Sequence, residues 1–126
     1  MSSVAPPGLV PAAVDFQGLA PLAAFRRRSA AEEMVIGVLQ VELSVTDAMS
    51  LKDKRRVILS LKDRIAHSHN ISIAEVGALD EHRRAILGMA MVSNDKRYVE
   101  GALSKLVDLV RSVPAVSLMD YQVEFL

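Results

Sequence analysis

The sequence predicts an α+β fold in which two helices cover one face of a four-stranded antiparallel sheet. Three observations support this prediction. From Met34 onward, four segments are rich in β-branched residues or alternate between apolar and polar residues, as strands do. Two further segments have apolar residues three and four positions apart, as amphipathic helices do. Their order along the chain is β-α-β-β-α-β, which is the split βαβ pattern.

Four segments predict the strands. Residues 34–44 alternate between apolar and polar side chains, which is typical of a strand with one buried face. The β-branched segment ISIAEVGA, residues 71–78, and the apolar segment RRAILGMAMVS, residues 83–93, predict the second and third strands. The short connection LDEH between them favours an antiparallel hairpin. Residues 115–126 predict the fourth strand.

Capping signals and apolar stripes predict the two helices. Ser50 is expected to cap the first helix, with Asp53 as an acidic variant of the capping box, and this helix ends near residues 69–70. Asn94 is expected to cap the second helix, which Pro114 ends. The residues predicted to be buried are Leu51, Ile58, Leu61 and Ile65 in the first helix and Val99, Leu103, Leu106 and Val110 in the second.

The element order leads to a candidate anion site. We expect strands one and three to lie side by side and parallel, so that both helices begin at the same edge of the sheet. Helix N-termini carry unpaired N–H groups and a partial positive charge, so cations placed there each cost about 0.3 to 1 kcal/mol unless an anion compensates. A phosphate between the two termini would use these donors. The candidate anion- or RNA-binding residues are Ser50, Lys52, Lys54, Arg55, Arg56, Ser93, Asn94, Lys96 and Arg97.

A simpler interpretation of these cations stays open. Lys and Arg often do no more than solvate a helix face, and Asp53 and Asp95 can satisfy the helix dipoles. The chain has 15 basic and 15 acidic residues, so a role in nucleic-acid binding depends on where the cations lie and not on their number.

Other features exclude several classes of function. The chain has no cysteine, which removes thiolate metal sites, thiol nucleophiles and disulfides and favours the cytoplasm. The histidines of the segment HSH, residues 67–69, lack partners at metal-ligand spacing, and Glu75 is a lone carboxylate on a strand. No Gly-rich phosphate loop or serine nucleophile motif occurs. We therefore predict a non-enzymatic protein with no metal, no cofactor and no membrane span.

The first 33 residues differ from the rest of the chain. Residues 1–33 contain prolines and glycines without strand or helix periodicity, so we predict a disordered extension before a single domain over residues 34–126. Three interpretations stay open: a tether with a basic spot, an organelle-type presequence, and an upstream extension that results from a misassigned start codon. We favour the last, because Met34 directly begins the first strand pattern.

Both alternating sets of residues in the third strand are apolar, although the helices can cover only one of them. With Ile36 and Val38 of the first strand, the uncovered set is expected to form an exposed apolar patch. This favours either a homodimer that forms through the sheet or a protein partner on this face. The small residues Gly88 and Ala90 leave open the alternative that the exposed area is minor.

Three motifs resemble those of the YlxP-like family, small bacterial proteins of unknown function. They are SLKDKRRV, NISIAEVG and MVSNDKRYVE, in this order and at this spacing, and the resemblance covers residues 34–126. It implies a ferredoxin-like α+β fold, in agreement with the pattern of elements. Genes of this family commonly lie among those for transcription elongation, translation initiation and ribosome maturation, which implies an RNA-linked role. Family members often carry an aromatic residue where this chain has His82.

Two functions follow as hypotheses. The first is a non-enzymatic binding module whose basic edge contacts RNA phosphates, with RNA or a ribosomal particle as its partner. The second is a small-anion or metabolite-binding sensor, or an enzyme, that uses the same edge. Aromatic residues that could stack bases are missing from the third strand, so the first hypothesis concerns the phosphate backbone and not the bases.

Overall fold

The computed structural model describes residues 34–126, and the predicted extension over residues 1–33 lies outside the described residues. The elements of the described part follow the predicted order. The strands are β1 (Val35–Ser44), β2 (Ser72–Gly77), β3 (Arg84–Ser93) and β4 (Ser117–Phe125), and the helices are α1 (Leu51–Ser68) and α2 (Lys96–Ser112).

The strands form one antiparallel sheet in the order β2-β3-β1-β4. Alternate residues of the two central strands face the helices and are fully buried, among them Leu39 and Val41 of β1 and Leu87 of β3. The apolar stripes of both helices pack on this face, as predicted. The result is a ferredoxin-like α+β domain, and the hydrophobic core lies between the sheet and the two helices.

The expected parallel pairing of the first and third strands is wrong. β1 pairs antiparallel with β3, so that Val35 lies opposite Ser93 and Ser44 lies opposite Arg84. The cause is the connectivity: the crossover through α1 keeps β2 parallel to β1, and the hairpin then reverses β3. α1 follows the end of β1, and α2 follows the end of β3. The two helices therefore begin at opposite ends of strands about 30 Å long.

The helix caps agree with the prediction at α1 and differ at α2. Ser50 Oγ accepts a hydrogen bond from the Asp53 N–H at 3.1 Å. The Asp53 carboxylate accepts from the N–H of Met49, one residue before the usual capping-box donor. At α2 the cap is Asp95, whose Oδ1 accepts from the backbone N–H three residues later, so the prediction of Asn94 as the cap is wrong. Both residue types cap well, so composition alone does not distinguish them.

Gly37 on β1 allows α2 to lie close to the sheet. A Cβ atom at this position would overlap Val99 Cγ1 and lie 3.1 Å from Leu103 Cδ1. Because glycine has no side chain, α2 can approach β1 this closely.

Candidate functional site

Lys54 is not available to bind an anion, although it was predicted to do so. Its side chain is 1% exposed, and its Nζ lies 2.8 Å from Glu75 Oε2 on β2. The ammonium also donates to the carbonyls of Ala78 and Arg84, at 2.9 and 3.2 Å. Residue 54 lies four residues before Ile58 on the buried stripe of α1, so its stem belongs to the inward face of the helix.

This buried ion pair holds α1 against the β2–β3 hairpin. Ala78 has a left-handed backbone with φ of 57°, and Lys54 binds the carbonyl of this same residue. Glu75 Oε2 is buried without a well-aligned hydrogen bond, so its contact with Nζ is mainly an attraction between charges. Glu75 is therefore not the lone carboxylate that the sequence predicts, since it is one partner of an ion pair. The signal that would have revealed it is the helical spacing that places Lys54 in line with the buried residues.

The other basic residues of α1 remain on the surface. Four are exposed and Lys62 is half-buried. Within residues 34–126 none of the five makes an ion pair. They outnumber the two carboxylates of the helix, those of Asp53 and Asp63, so this surface is positively charged on a chain that is neutral overall. We call this surface the cationic face of α1; its residues are Lys52, Arg55, Arg56, Lys62 and Arg64.

One side of the cationic face has a regular spacing. Lys52, Arg56, Ser60 and Arg64 follow one another at intervals of four residues, which places them in a row along one side of the helix. Each interval rises by about 6 Å, so the row extends over about 18 Å. A row of this kind can follow a chain of phosphates without any pocket that encloses a single anion.

An open groove runs beside this row. It has a volume of about 620 Å³, and Leu109 of α2 forms its far wall. The ring of His67 lies with Nδ1 2.7 Å from the carbonyl oxygen of Asp63, and because a carbonyl only accepts, the ring donates from Nδ1. We call this feature the α1 groove; α1 contributes Arg56, Leu59, Ser60, Asp63, Arg64 and His67.

The predicted residues at the start of α2 do not join those of α1. Ser93, Asn94 and Arg97 lie at the opposite end of the sheet from Ser50, because β1 and β3 are antiparallel. Ser93 Oγ accepts a hydrogen bond from the Asp95 N–H at 3.2 Å and so supports the cap. The site between two helix N-termini is therefore not formed.

Lys96, the remaining predicted residue at this end, lies over the ring of Phe125, with Nζ 5.1 Å from the ring centroid. This cation–π contact gives the ammonium group a partner on β4. Of the predicted residues, the structure brings together those of α1 alone.

The sheet face opposite the helices carries the predicted apolar patch. Ile36 lies opposite Val92 and Val38 lies opposite Ala90, and the Val92 side chain is 64% exposed. Along β1 and β3, buried and more exposed residues alternate, and the buried residues face the two helices. Within residues 34–126, neither helix covers the face that contains Ile36 and Val92. On this face Val92 is exposed, whereas Ile36, Val38 and Ala90 are half-buried.

The same face ends in an exposed ion cluster. Arg84 Nε lies 2.7 Å from Glu42 Oε2, and Nη1 lies 3.2 Å from Glu81 Oε2. The hydrogen bond that Arg84 donates to Glu42, together with the charge of this carboxylate, raises the pKa of Arg84 above its ordinary value. Arg84 is therefore positively charged, and it faces carboxylates of its own chain.

Residues 34–126 contain neither a cluster of metal-ligating side chains nor a membrane-spanning helix. No cluster of three histidine, cysteine or carboxylate side chains that could hold a metal ion occurs there. Neither α1 nor α2 is long and apolar enough to cross a membrane.

Comparisons with known proteins identify the family of the chain. The uncharacterized protein YlxP of Bacillus subtilis (strain 168) is 33% identical over 82 residues, which cover 65% of this chain and 89% of that protein. Among solved structures, the de novo designed protein Foldit4 matches with a TM-score of 0.46 at 10% identity, over 75% of this chain and 97% of that one. The model of a family described as a protein of unknown function, DUF503, matches residues 36–123. Because this match covers most of the chain, the protein belongs to the DUF503 family, which is the YlxP-like family that its motifs resemble.

Proposed function

We propose that this protein is a non-enzymatic RNA-binding module that contacts phosphates through the cationic face of α1. The observation that carries the proposal is the row formed by Lys52, Arg56 and Arg64, three basic side chains on one side of α1 that make no ion pair within residues 34–126. The Asp63 carboxylate lies beside the row but forms no ion pair with its cations. The positive charge of the row is therefore available to a polyanion.

The geometry favours a polyanion over a small anion. The α1 groove is open to solvent, and the cations follow one another along the helix without converging on one point. A small-anion sensor needs a concave pocket that buries its ligand. The basic edge formed by two helix N-termini, which would have supplied such a pocket, is not formed.

The proposed partner in the cell is the RNA of a ribosomal particle. Support comes from the RNA-linked gene neighbourhoods that the YlxP-like resemblance implies, and from the phosphate contacts that the cationic face offers. We propose a cytoplasmic location on the same grounds. A pull-down from native cells, performed with and without RNase, tests the partner. Loss of ribosomal particles from the bound fraction after RNase treatment would support it.

Charge reversal tests the site directly. The double variant Arg56→Glu/Arg64→Glu should bind RNA at least about tenfold more weakly at low salt than the parent protein. The slope of log K against log salt should decrease by roughly 1.4 to 1.8, as expected for two lost phosphate contacts. Arg97→Glu/Lys105→Glu is the matched control, because it reverses two exposed charges on α2. Equal losses in both variants would contradict a site on α1.

A further inference from the structure

The α1 groove combines groups that suit a ribose as well as a phosphate. Arg56 and Arg64 are eight residues apart, or about 12 Å along the helix axis. Ser60 and Asp63 lie between them and line the same groove. The Asp63 carboxylate is exposed and makes no ion pair within residues 34–126. A carboxylate at this position repels phosphates, so the phosphate-binding role does not account for it.

A carboxylate can, however, accept a hydrogen bond from a hydroxyl group. In A-form RNA the wide minor groove displays 2′-hydroxyls beside the phosphates, and proteins that recognise double-stranded RNA contact both. The hydroxyl of Ser60 can donate to a 2′-oxygen or accept from a 2′-hydroxyl. Along α1 the order of groups is a cation, two hydrogen-bond acceptors and a second cation. This order matches the alternation of phosphates and 2′-hydroxyls in the minor groove of A-form RNA.

The aromatic residues also favour a duplex over a single strand. Proteins that bind single strands usually stack bases on exposed aromatic side chains. Within residues 34–126 the exposed residues with a benzene or indole ring are Tyr98 and Tyr121, and neither belongs to α1. The Arg111 guanidinium covers the Tyr121 ring, at 5.7 Å from its centroid. No Phe, Tyr or Trp side chain of the described part of the chain therefore lines the α1 groove, where His67 supplies the one aromatic ring among the lining residues.

We infer that the α1 groove binds the minor-groove backbone of double-stranded RNA, with Arg56 and Arg64 on phosphates and Asp63 accepting from a 2′-hydroxyl. This inference rests on the proposed RNA-binding function and gives it a substrate class. The groove then distinguishes RNA from DNA by the presence of the 2′-hydroxyl and not by charge.

Three probes of equal length test the inference: an RNA duplex, a DNA duplex of the same sequence, and one of the two RNA strands alone. The parent protein should bind the RNA duplex about tenfold or more tightly than either other probe at low salt, as expected from a charge-assisted hydrogen bond. Tighter binding of the single strand, or equal binding of both duplexes, would overturn the inference and leave the proposed function intact. Failure to bind any probe would contradict both.

The variant Asp63→Ala separates hydrogen bonding from charge. Removal of a carboxylate should strengthen binding of the DNA duplex, because repulsion falls, whereas binding of the RNA duplex should weaken or stay the same. The RNA-to-DNA affinity ratio should therefore fall by about tenfold. The control is Asp108→Ala, which removes an exposed carboxylate from α2 and should leave this ratio unchanged. An equal gain for both duplexes in Asp63→Ala would show that the carboxylate only repels phosphate.

Discussion

Lys54 Nζ and Glu75 Oε2 lie 2.8 Å apart in the interior of the protein and connect the first helix to the second strand of the sheet. The contribution of a buried ion pair to stability becomes evident mainly when one of its two partners is removed. Taking away one charge leaves the other buried and uncompensated. Here the ammonium group also satisfies two carbonyls near the hairpin, which increases the consequence of its loss.

We expect Lys54→Met to lower the free energy of unfolding by about 3 to 5 kcal/mol, because it leaves Glu75 buried without its partner. The double variant Lys54→Met/Glu75→Gln should lose less, because it removes both charges. Chemical denaturation measures both values. Lys52→Met is the control on the exposed side of α1 and should change the stability by less than about 0.5 kcal/mol. An equal effect at residues 52 and 54 would contradict the structural role of the pair.

The cap of α2 provides a second test of stability. Asp95→Ala should cost about 0.5 to 2 kcal/mol, because the Tyr98 N–H loses the acceptor that it has at 3.2 Å. Asn94→Ala should be nearly neutral, since Asn94 is exposed and lies one residue before the cap. A larger loss at residue 94 than at residue 95 in denaturation experiments would show that the helix begins earlier than described.

Some features of this fold are predictable from the sequence, and others are not. The order and type of the elements were predictable, because strand alternation and helical stripes extend over many residues and tolerate errors of one position. The cap of α2 depends on a single position at which Asn94 and Asp95 are chemically similar. Lys54 was misplaced because a basic side chain was assumed to face solvent, although its position matches the buried stripe with Ile58.

The predicted anion site between the two helix N-termini is not formed, for a different reason. The prediction of this site depended on a parallel pairing of β1 and β3. The direction in which two strands pair is determined by the connections between them and cannot be read from either strand alone. The hairpin between β2 and β3 was itself predicted correctly. Combined with the α1 crossover, it implies an antiparallel neighbour and helix starts at opposite ends.

Gly37→Ala should destabilise the protein by roughly 1 to 3 kcal/mol, because the added methyl group overlaps Val99 and must push α2 away from β1. Gly101→Ala is an informative counterpart. An added Cβ at residue 101 meets no atom within 4 Å, and alanine favours the helix, so this variant should be stabilised by up to about 1 kcal/mol. Thermal or chemical denaturation of the two variants should therefore give changes of opposite sign.

The apolar face of the sheet leads to a prediction about assembly. We expect the protein to form a homodimer at micromolar concentration through the patch that includes Val38 and Val92, because such faces are usually covered. Val92→Lys should shift the sedimentation coefficient to that of a monomer without loss of the fold. Leu59→Lys, which changes an exposed apolar residue on α1, should leave the dimer intact. A monomeric parent protein would show that the patch is too small to drive association.

The last prediction concerns Lys52, in the first turn of α1. A cation there is unfavourable because it lies near the positive end of the helix dipole, so Lys52→Glu should raise the free energy of unfolding by about 0.3 to 1 kcal/mol at low ionic strength. The same substitution should weaken RNA binding, because the cationic face loses one phosphate contact and gains a negative charge. Stability and affinity should therefore change in opposite directions.

Arg64→Glu supplies the comparison at the other end of the cationic face. This residue lies before the last turn of α1, beyond the reach of the helix dipole, so here RNA affinity should decrease while stability changes by less than about 0.5 kcal/mol. Denaturation and RNA titration at the same low salt concentration measure the two properties for each variant. If neither variant changed RNA binding while Lys52→Glu gained stability, the cations of α1 would be ordinary solvated side chains, and the proposed function would be wrong.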